Sequence, residues 1–153
     1  MSIKKVREYF KQYDMEKRIK ELTETTATVE EAAKALGCEP DRIAKTLSFS
    51  LGEQIILILF SGNTRVENAK YRQQFQRKAK MLTKEEVEQK VGHQVGGVCP
   101  FAINPNIDVY LDISLKKYDT VFPACGSSNS AIELSIEELE KYSLFKHWID
   151  VGK

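Results

Sequence analysis

Two stretches of small residues carry the chemical signal in this chain. The first is Gly92-His93-Gln94-Val95-Gly96-Gly97-Val98-Cys99-Pro100-Phe101-Ala102-Ile103, and the second is Ala124-Cys125-Gly126-Ser127-Ser128-Asn129-Ser130. Glycine lets the backbone approach a ligand and take dihedral angles closed to other residues, and a following proline fixes the exit. Such a stretch can aim several amide N–H groups at one point, which is what an oxygen anion needs. Read singly, each stretch is equally well a turn between strands. Lys45 adds to the pair: it lies between Ile43, Ala44 and Leu47, where a charge needs a reason, although lysine as a residue type is usually a solvated surface group.

Other reactive types are scarce. His147, beside Trp148, reads as structural or exposed. His93 follows a helix-ending glycine near the first loop and is either a substrate contact or a surface cap. Cys38, Cys99 and Cys125 form an odd set without Cys-x-x-Cys spacing, so neither a disulfide framework nor a zinc site is supported. Cys99 and Cys125 fall in the two loops. Each is a nucleophile if nearby positive charge activates it, or a small space-filling residue, and no His or Asp is placed in sequence as a convincing partner. The residues call for no metal and no cofactor.

These groups need elements to hold them. Ile3, Val6, Tyr9, Phe10 and Tyr13 fall at helical spacing. Thr28-Val29-Glu30-Glu31 is a capping box that opens a helix closed by Gly37. Ile43 to Ser50 and Gln54 to Phe60 read as a hairpin around Leu51-Gly52-Glu53, its second strand buried on both faces and Lys45 and Thr46 at or just before the first. Val66 to Phe75 reads as a helix, and Thr83-Lys84-Glu85-Glu86 opens a short one ending at Gly92. Ile107 to Ile113 alternates like a strand with one wet face. Thr120 to Ala124 and Ala131 to Leu134 read as short strands, and Ser135-Ile136-Glu137-Glu138 starts a last helix. Helices and strands are interspersed without strict alternation, which fits an α+β fold, a mixed sheet with flanking helices.

At 153 residues the chain suits one domain, residues 1–153, with no linker. Hydrophobic residues at 42%, charged residues at 29%, and 23 Lys+Arg against 22 Asp+Glu are the balance of a globular protein rather than of a disordered or strongly nucleic-acid-seeking one. The run Ile55 to Phe60 is too short to span a bilayer, and Met1 to Lys5 does not resemble a signal peptide, so a cytoplasmic protein is expected, with no membrane and no DNA partner.

Three segments, Arg42-Ile43-Ala44-Lys45-Thr46-Leu47, Gly96-Gly97-Val98-Cys99-Pro100, and Ala124-Cys125-Gly126-Ser127-Ser128 before Ile132-Glu133-Leu134, together resemble the YbaK/ProX-like aminoacyl-tRNA deacylases, free-standing relatives of the prolyl-tRNA synthetase editing domain. The resemblance runs from the Thr28 helix to the last one. It implies a mixed, partly closed sheet surrounded by helices, and a hydrolase that removes a wrong amino acid from tRNA, usually tRNA for proline, acting in trans. Lys45 matches the family's essential lysine. Gly96 and Pro100 match the ends of its Gly-x-x-x-Pro loop, with Gly97, Val98 and Cys99 inside, and Gly126 and Ser127 match the facing small-residue loop.

Hydrolysing an aminoacyl ester needs a water nucleophile, a proton acceptor and donors for the oxyanion. The chain is rich in donors and poor in bases, as a substrate-assisted mechanism through the terminal ribose hydroxyl would leave it. In this reading Lys45 binds and polarises, the amides of Gly96 to Cys99 and of Gly126 and Ser127 stabilise charge, and Thr46 and His93 are further substrate contacts. Thr46 stands where some members carry Asn, and Ala131 where some carry an acidic residue. Specificity therefore rests on pocket size, with alanine, serine, cysteine and 2-aminobutyrate as candidates. Lys70, Arg72, Arg77, Lys78 and Lys80, with Tyr71 among them, are the expected tRNA contact, against the alternative of a solvated helix face. A prolyl-tRNA synthetase is the second candidate partner. The rival readings are a cysteine hydrolase using Cys99 and a binding module that recognises aminoacyl-tRNA or a synthetase without cleaving anything.

Overall fold

The structure is a computed structural model that describes residues 2–153. In chain order the elements are α1 (Ser2–Lys11), β1 (Ile19–Glu21), α2 (Val29–Leu36), β2 (Ile43–Leu51), β3 (Gln54–Ser61), α3 (Asn68–Phe75), α4 (Lys84–Glu86, continued by a π turn over Val87–Val91), β4 (Ile107–Asp112), β5 (Thr120–Pro123), β6 (Ser130–Ile132), β7 (Leu134–Ser135), α5 (Ile136–Ser143) and β8 (His147–Ile149). Each of α2, α4 and α5 starts with the expected capping box, on Thr28, Thr83 and Ser135.

Six strands form one sheet in the order β7-β5-β2-β3-β4-β8, and β1 pairs with β6 in a small second one. The Ala124 to Ala131 bridge ties the two together. The β2-β3 hairpin has the expected register: Leu51 faces Gln54 across a tight turn that needs Gly52 at φ +65°, and Lys45 faces Phe60. β3 is buried on both faces. Leu57 and Leu59 join Val6, Phe10, Leu111 and Leu139 in one core, while Ile56, Ile58 and Phe60 join Phe49, Tyr71 and Tyr110 in the other. A third, smaller cluster lies under α2, where Ala32 and Ala33 meet Ile43 and Phe122. The result is the mixed α+β architecture that the sequence leads one to expect, a curled sheet with helices around it. Among the described residues, no helix is long and apolar enough to cross a membrane.

Four expectations need correction. β4 has no wet face from Val109 onward, because Val109 and Leu111 pack in one core and Tyr110 in the other, and Asp112 is buried, its carboxylate accepting from the Ser114 and Val151 amides. The helix expected from Val66 starts at Asn68, and Val66 bridges Gly152 instead. The strand expected over Ala131 to Leu134 is two short strands serving different partners, β1 and β5. Lys45 lies inside β2, two residues past its start. Neither β1 nor β8 has an alternating pattern long enough to be read from sequence; both exist because a neighbouring strand offers a ladder.

Candidate active site

The site follows from an interrupted ladder. β5 pairs with β2 only at Ile43 with Phe122 and Ala44 with Pro123. Pro123 has no N–H to donate, and the chain then leaves the sheet for the Ala124 to Ser130 loop. The segment after α3 takes up the far end of the same edge, with Leu82 N donating to Ser48 O at 3.1 Å and Ser50 N to Lys80 O at 2.8 Å. Strand alternation turns the Thr46 peptide to this same side, so it faces the gap between the two partners. A cleft of about 410 Å³ opens there. Its floor is Ala44 to Ser48. One wall is the Thr26 to Val29 loop with Ala32, the other is Met81, Leu82, Lys84 and Val87, and Gly96 and Val98 close it from above.

Lys45 is half-buried in this cleft and donates from Nζ to the Gly62 carbonyl at 3.0 Å. An ammonium has three N–H groups, so two remain for a ligand. Burial, and then the Arg65 charge, push its pKa below the usual value, with Glu30 and Asp41 opposing. The Gly62 carbonyl is itself positioned: Asp41 accepts from Ser61 Oγ at 3.0 Å and from the Asn63 amide at 3.0 Å, holding the turn on either side of it. Arg42 ties the start of β2 to Thr120 and, at 2.9 Å, to Glu133, which fixes β5 and the end of β6 against it.

The two glycine-bearing loops meet back to back. Gly126 N donates to Gly97 O at 3.0 Å and Gly97 N to Gln94 O at 3.0 Å, so both amides are spent within the protein rather than offered to a ligand. The approach is closed to any side chain, since a Cβ on Gly97 would stand 2.4 Å from Ser127 N. Gly96 and Val98 line the cleft together with Lys45 and Thr46, whereas Gly97, Cys99, Pro100, Gly126 and Ser127 stand behind that lining. His93 is not among the residues that line the cleft and is not a surface cap. It is buried, with Nε2 2.7 Å from Phe101 O, and its ring pins the exit of the first loop.

Cys99 Sγ lies 3.5 Å from the same His93 nitrogen, a pairing not apparent from the sequence. Burial pushes the thiol up to about 12 and His93 below its usual value, so the pair is a neutral, packed couple and a poor source of thiolate. Burial pushes Cys125 up as well. Among the described residues, no three His, Cys, Asp or Glu side chains converge as metal ligands.

The basic residues are divided. Lys70 is held by Asp150 at 3.0 Å and by the Gly152 carbonyl at 2.9 Å. Arg72 and Lys78 line a groove along α3, Arg77 packs over the Gly52 turn, and Lys80 belongs to the segment that runs along β2 to the cleft. Tyr71 is fully buried against Phe49 and Phe75, so it offers no face for base stacking. His147 is exposed on β8. The cleft lining also includes Lys84 and Thr28, which the sequence shows only as members of capping boxes, and Thr26, which no sequence signal singles out.

A model of the aminoacyl-tRNA editing domain family matches residues 23–142. An uncharacterized protein of Bacillus subtilis (strain 168), YwhH, is 51% identical over 154 residues, covering 100% of this chain and 98% of that one. The proline–tRNA ligase of Bacillus cereus (strain AH820) is 23% identical over 123 residues, which is 79% of this chain but 21% of the ligase. Among solved structures, a protein provisionally described as a trans-editing enzyme for prolyl tRNA synthetase superposes with a TM-score of 0.89 at 28% identity, covering 99% of this chain and 97% of that one.

Proposed function

We propose, on the premise that the chain belongs to the aminoacyl-tRNA editing domain family, that it is a one-domain hydrolase that cleaves the ester of a mischarged tRNA in trans, with tRNA for proline as substrate. The observation that carries this reading is Lys45, a half-buried cation with unspent N–H groups at the open edge of β2, in a cleft otherwise largely apolar. A cation held there by one carbonyl has a use only if something anionic or strongly polarised comes to meet it.

In the reaction, the oxygen of a water molecule bonds to the acyl carbon and the bond from that carbon to the ribose oxygen breaks. The proton lost by the water ends on the ribose oxygen, and the neighbouring ribose hydroxyl relays it, which accounts for the lack of a histidine or carboxylate in the lining. The Lys45 ammonium stabilises the negative charge, on a phosphate of the terminal nucleotide or on the carbonyl oxygen, and the Thr46 N–H at the strand edge adds a donor. Gly96 and Val98 shape the mouth. The Gly97, Gly126 and Ser127 backbone, with Cys99, Pro100 and His93, supports that loop from behind. Lys78 and Lys80, with Arg72 and Arg77, contact tRNA phosphates, Lys80 standing next to Met81 and Leu82 of the cleft wall; Lys70, already paired, contributes less.

The test is hydrolysis of tRNA for proline charged with alanine, cysteine, serine, 2-aminobutyrate or proline by the purified protein. Turnover of at least one non-cognate ester with prolyl-tRNA spared is the expected result. Binding of these tRNAs without release of any amino acid would replace the enzyme with a recognition module, whether for tRNA or for a prolyl-tRNA synthetase.

A further inference from the structure

The charged side chains that line the cleft are Lys45 and Lys84, and both are cations. No carboxylate of the described residues stands in that lining. Lys45 is tethered to the Gly62 carbonyl, whereas the Lys84 ammonium has neither a hydrogen-bond nor an ion-pair partner among the described residues. The capping box beside it does not need it: Thr83 and Glu86 satisfy each other, and Glu86 pairs with Lys90 at 3.6 Å. Lys84 is also the first residue of α4, the end of a helix at which the peptide dipoles disfavour a cation. Helix formation therefore gives no reason for a lysine at this position, and the cleft does.

The two cations stand at different ends of the floor. Leu82 pairs with Ser48 on β2, beyond Lys45, so the wall that carries Lys84 begins roughly 10 Å along the strand from the tethered lysine at the usual rise per residue. The surface nearby is apolar and open, since Met81 and Val95 line the same cleft while 54% and 41% exposed. Such a slot suits a ligand with an anion at one end, a polarised oxygen at the other and a flat body that can cover apolar side chains. A nucleotide acylated on its ribose has that form, with the 5′ phosphate on one side of the sugar and the ester carbonyl on the other. We infer that Lys84 is a second binding residue of the cleft, which takes the 5′ phosphate of the nucleotide carrying the acyl group and leaves the Lys45 ammonium to the ester carbonyl. The inference rests on the deacylase reading above, and it assigns each of the two cations its own oxygen.

The experiment compares kcat/KM for the alanyl, seryl and 2-aminobutyryl esters of adenosine with those of adenosine 5′-monophosphate, using the wild-type protein, Lys84→Met, Lys84→Arg and Lys45→Met. The wild type should prefer the phosphorylated ester by about tenfold or more, the worth of a hydrogen bond to a charged group. Lys84→Met should largely abolish that preference, and Lys84→Arg, which keeps the charge, should hold it. Lys45→Met should slow both esters and preserve their ratio. A merely structural loss also slows both together, so the ratio isolates the phosphate contact. Protein that cleaves charged tRNA for proline yet treats the two short esters alike, or cleaves neither, overturns the inference whether or not the variants fold. So does a phosphate preference that survives Lys84→Met or disappears with Lys45→Met. These results leave the deacylase reading standing, whereas failure to cleave any charged tRNA removes that reading and this inference together.

Discussion

Replacing Lys45 by methionine should separate function from stability. The side chain makes one hydrogen bond, to the Gly62 carbonyl at 3.0 Å, and losing it costs about 1 kcal/mol. Against that, the variant no longer holds an ammonium in a half-buried cleft, and the methionine stem covers the same apolar floor. The two effects oppose each other, so the net change should stay within about 1 kcal/mol, roughly 2–4 °C in Tm for a chain of this size. Activity should behave otherwise: removing a preorganised charge from the developing oxyanion or its phosphate costs about 10² to 10³ in rate. The pH dependence supplies a sign. Burial depresses the Lys45 pKa below the usual 10.5, so between its folded value and 10.5 the unfolded chain binds more protons. The charged lysine therefore subtracts stability at neutral pH. That deficit should shrink as pH rises toward 10.5, bringing the wild type up relative to Lys45→Met. Thermal melts and single-turnover deacylation on the same preparations decide the matter. A variant that keeps its rate within about threefold, or that loses more than about 3 kcal/mol of stability, would refute the argument.

Gly97→Ala forces a Cβ to within 2.4 Å of Ser127 N and 2.6 Å of the Gly126 carbonyl carbon, both backbone, so it should destabilise by about 1–3 kcal/mol, and an unchanged melting temperature would contradict the back-to-back packing. Combining Lys78→Ala with Lys80→Ala should reduce the slope of log affinity for tRNA against log salt by about 1.4–1.8, and an unaltered slope would remove both residues from the interface. Glu138 is held down to about 2, first by the Arg18 guanidinium and also by the Ser135 amide, so its contribution is present above pH 4.5 and fades as pH falls toward 2. Glu138→Gln should therefore flatten the acid limb of the stability curve, as read by denaturant melts from pH 2 to 6.

What could be read from the sequence was whatever is decided locally. Capping boxes at Thr28, Thr83 and Ser135 start helices wherever they stand, because the cap and the third helical residue satisfy each other without outside help. The β2-β3 hairpin was legible for the same reason: β-branched runs meet across a turn that only Gly52 makes comfortable. Lys45 stood out as a charge in an apolar strand, and Gly96 and Val98 as part of a loop, and all three line the cleft. The remainder depended on long-range contacts. Whether an amide is free is settled by its partner's position, and Gly126 spends its N–H on Gly97, 29 residues away in the chain. Cys99 and His93 meet only because the loop folds back over Phe101. The cleft itself exists because Pro123 ends the β5 ladder beside Ala44 and the segment around Leu82 resumes it at Ser48. No single stretch encodes that gap in hydrogen bonding, since it lies between two strands and a third segment brought together by the tertiary fold.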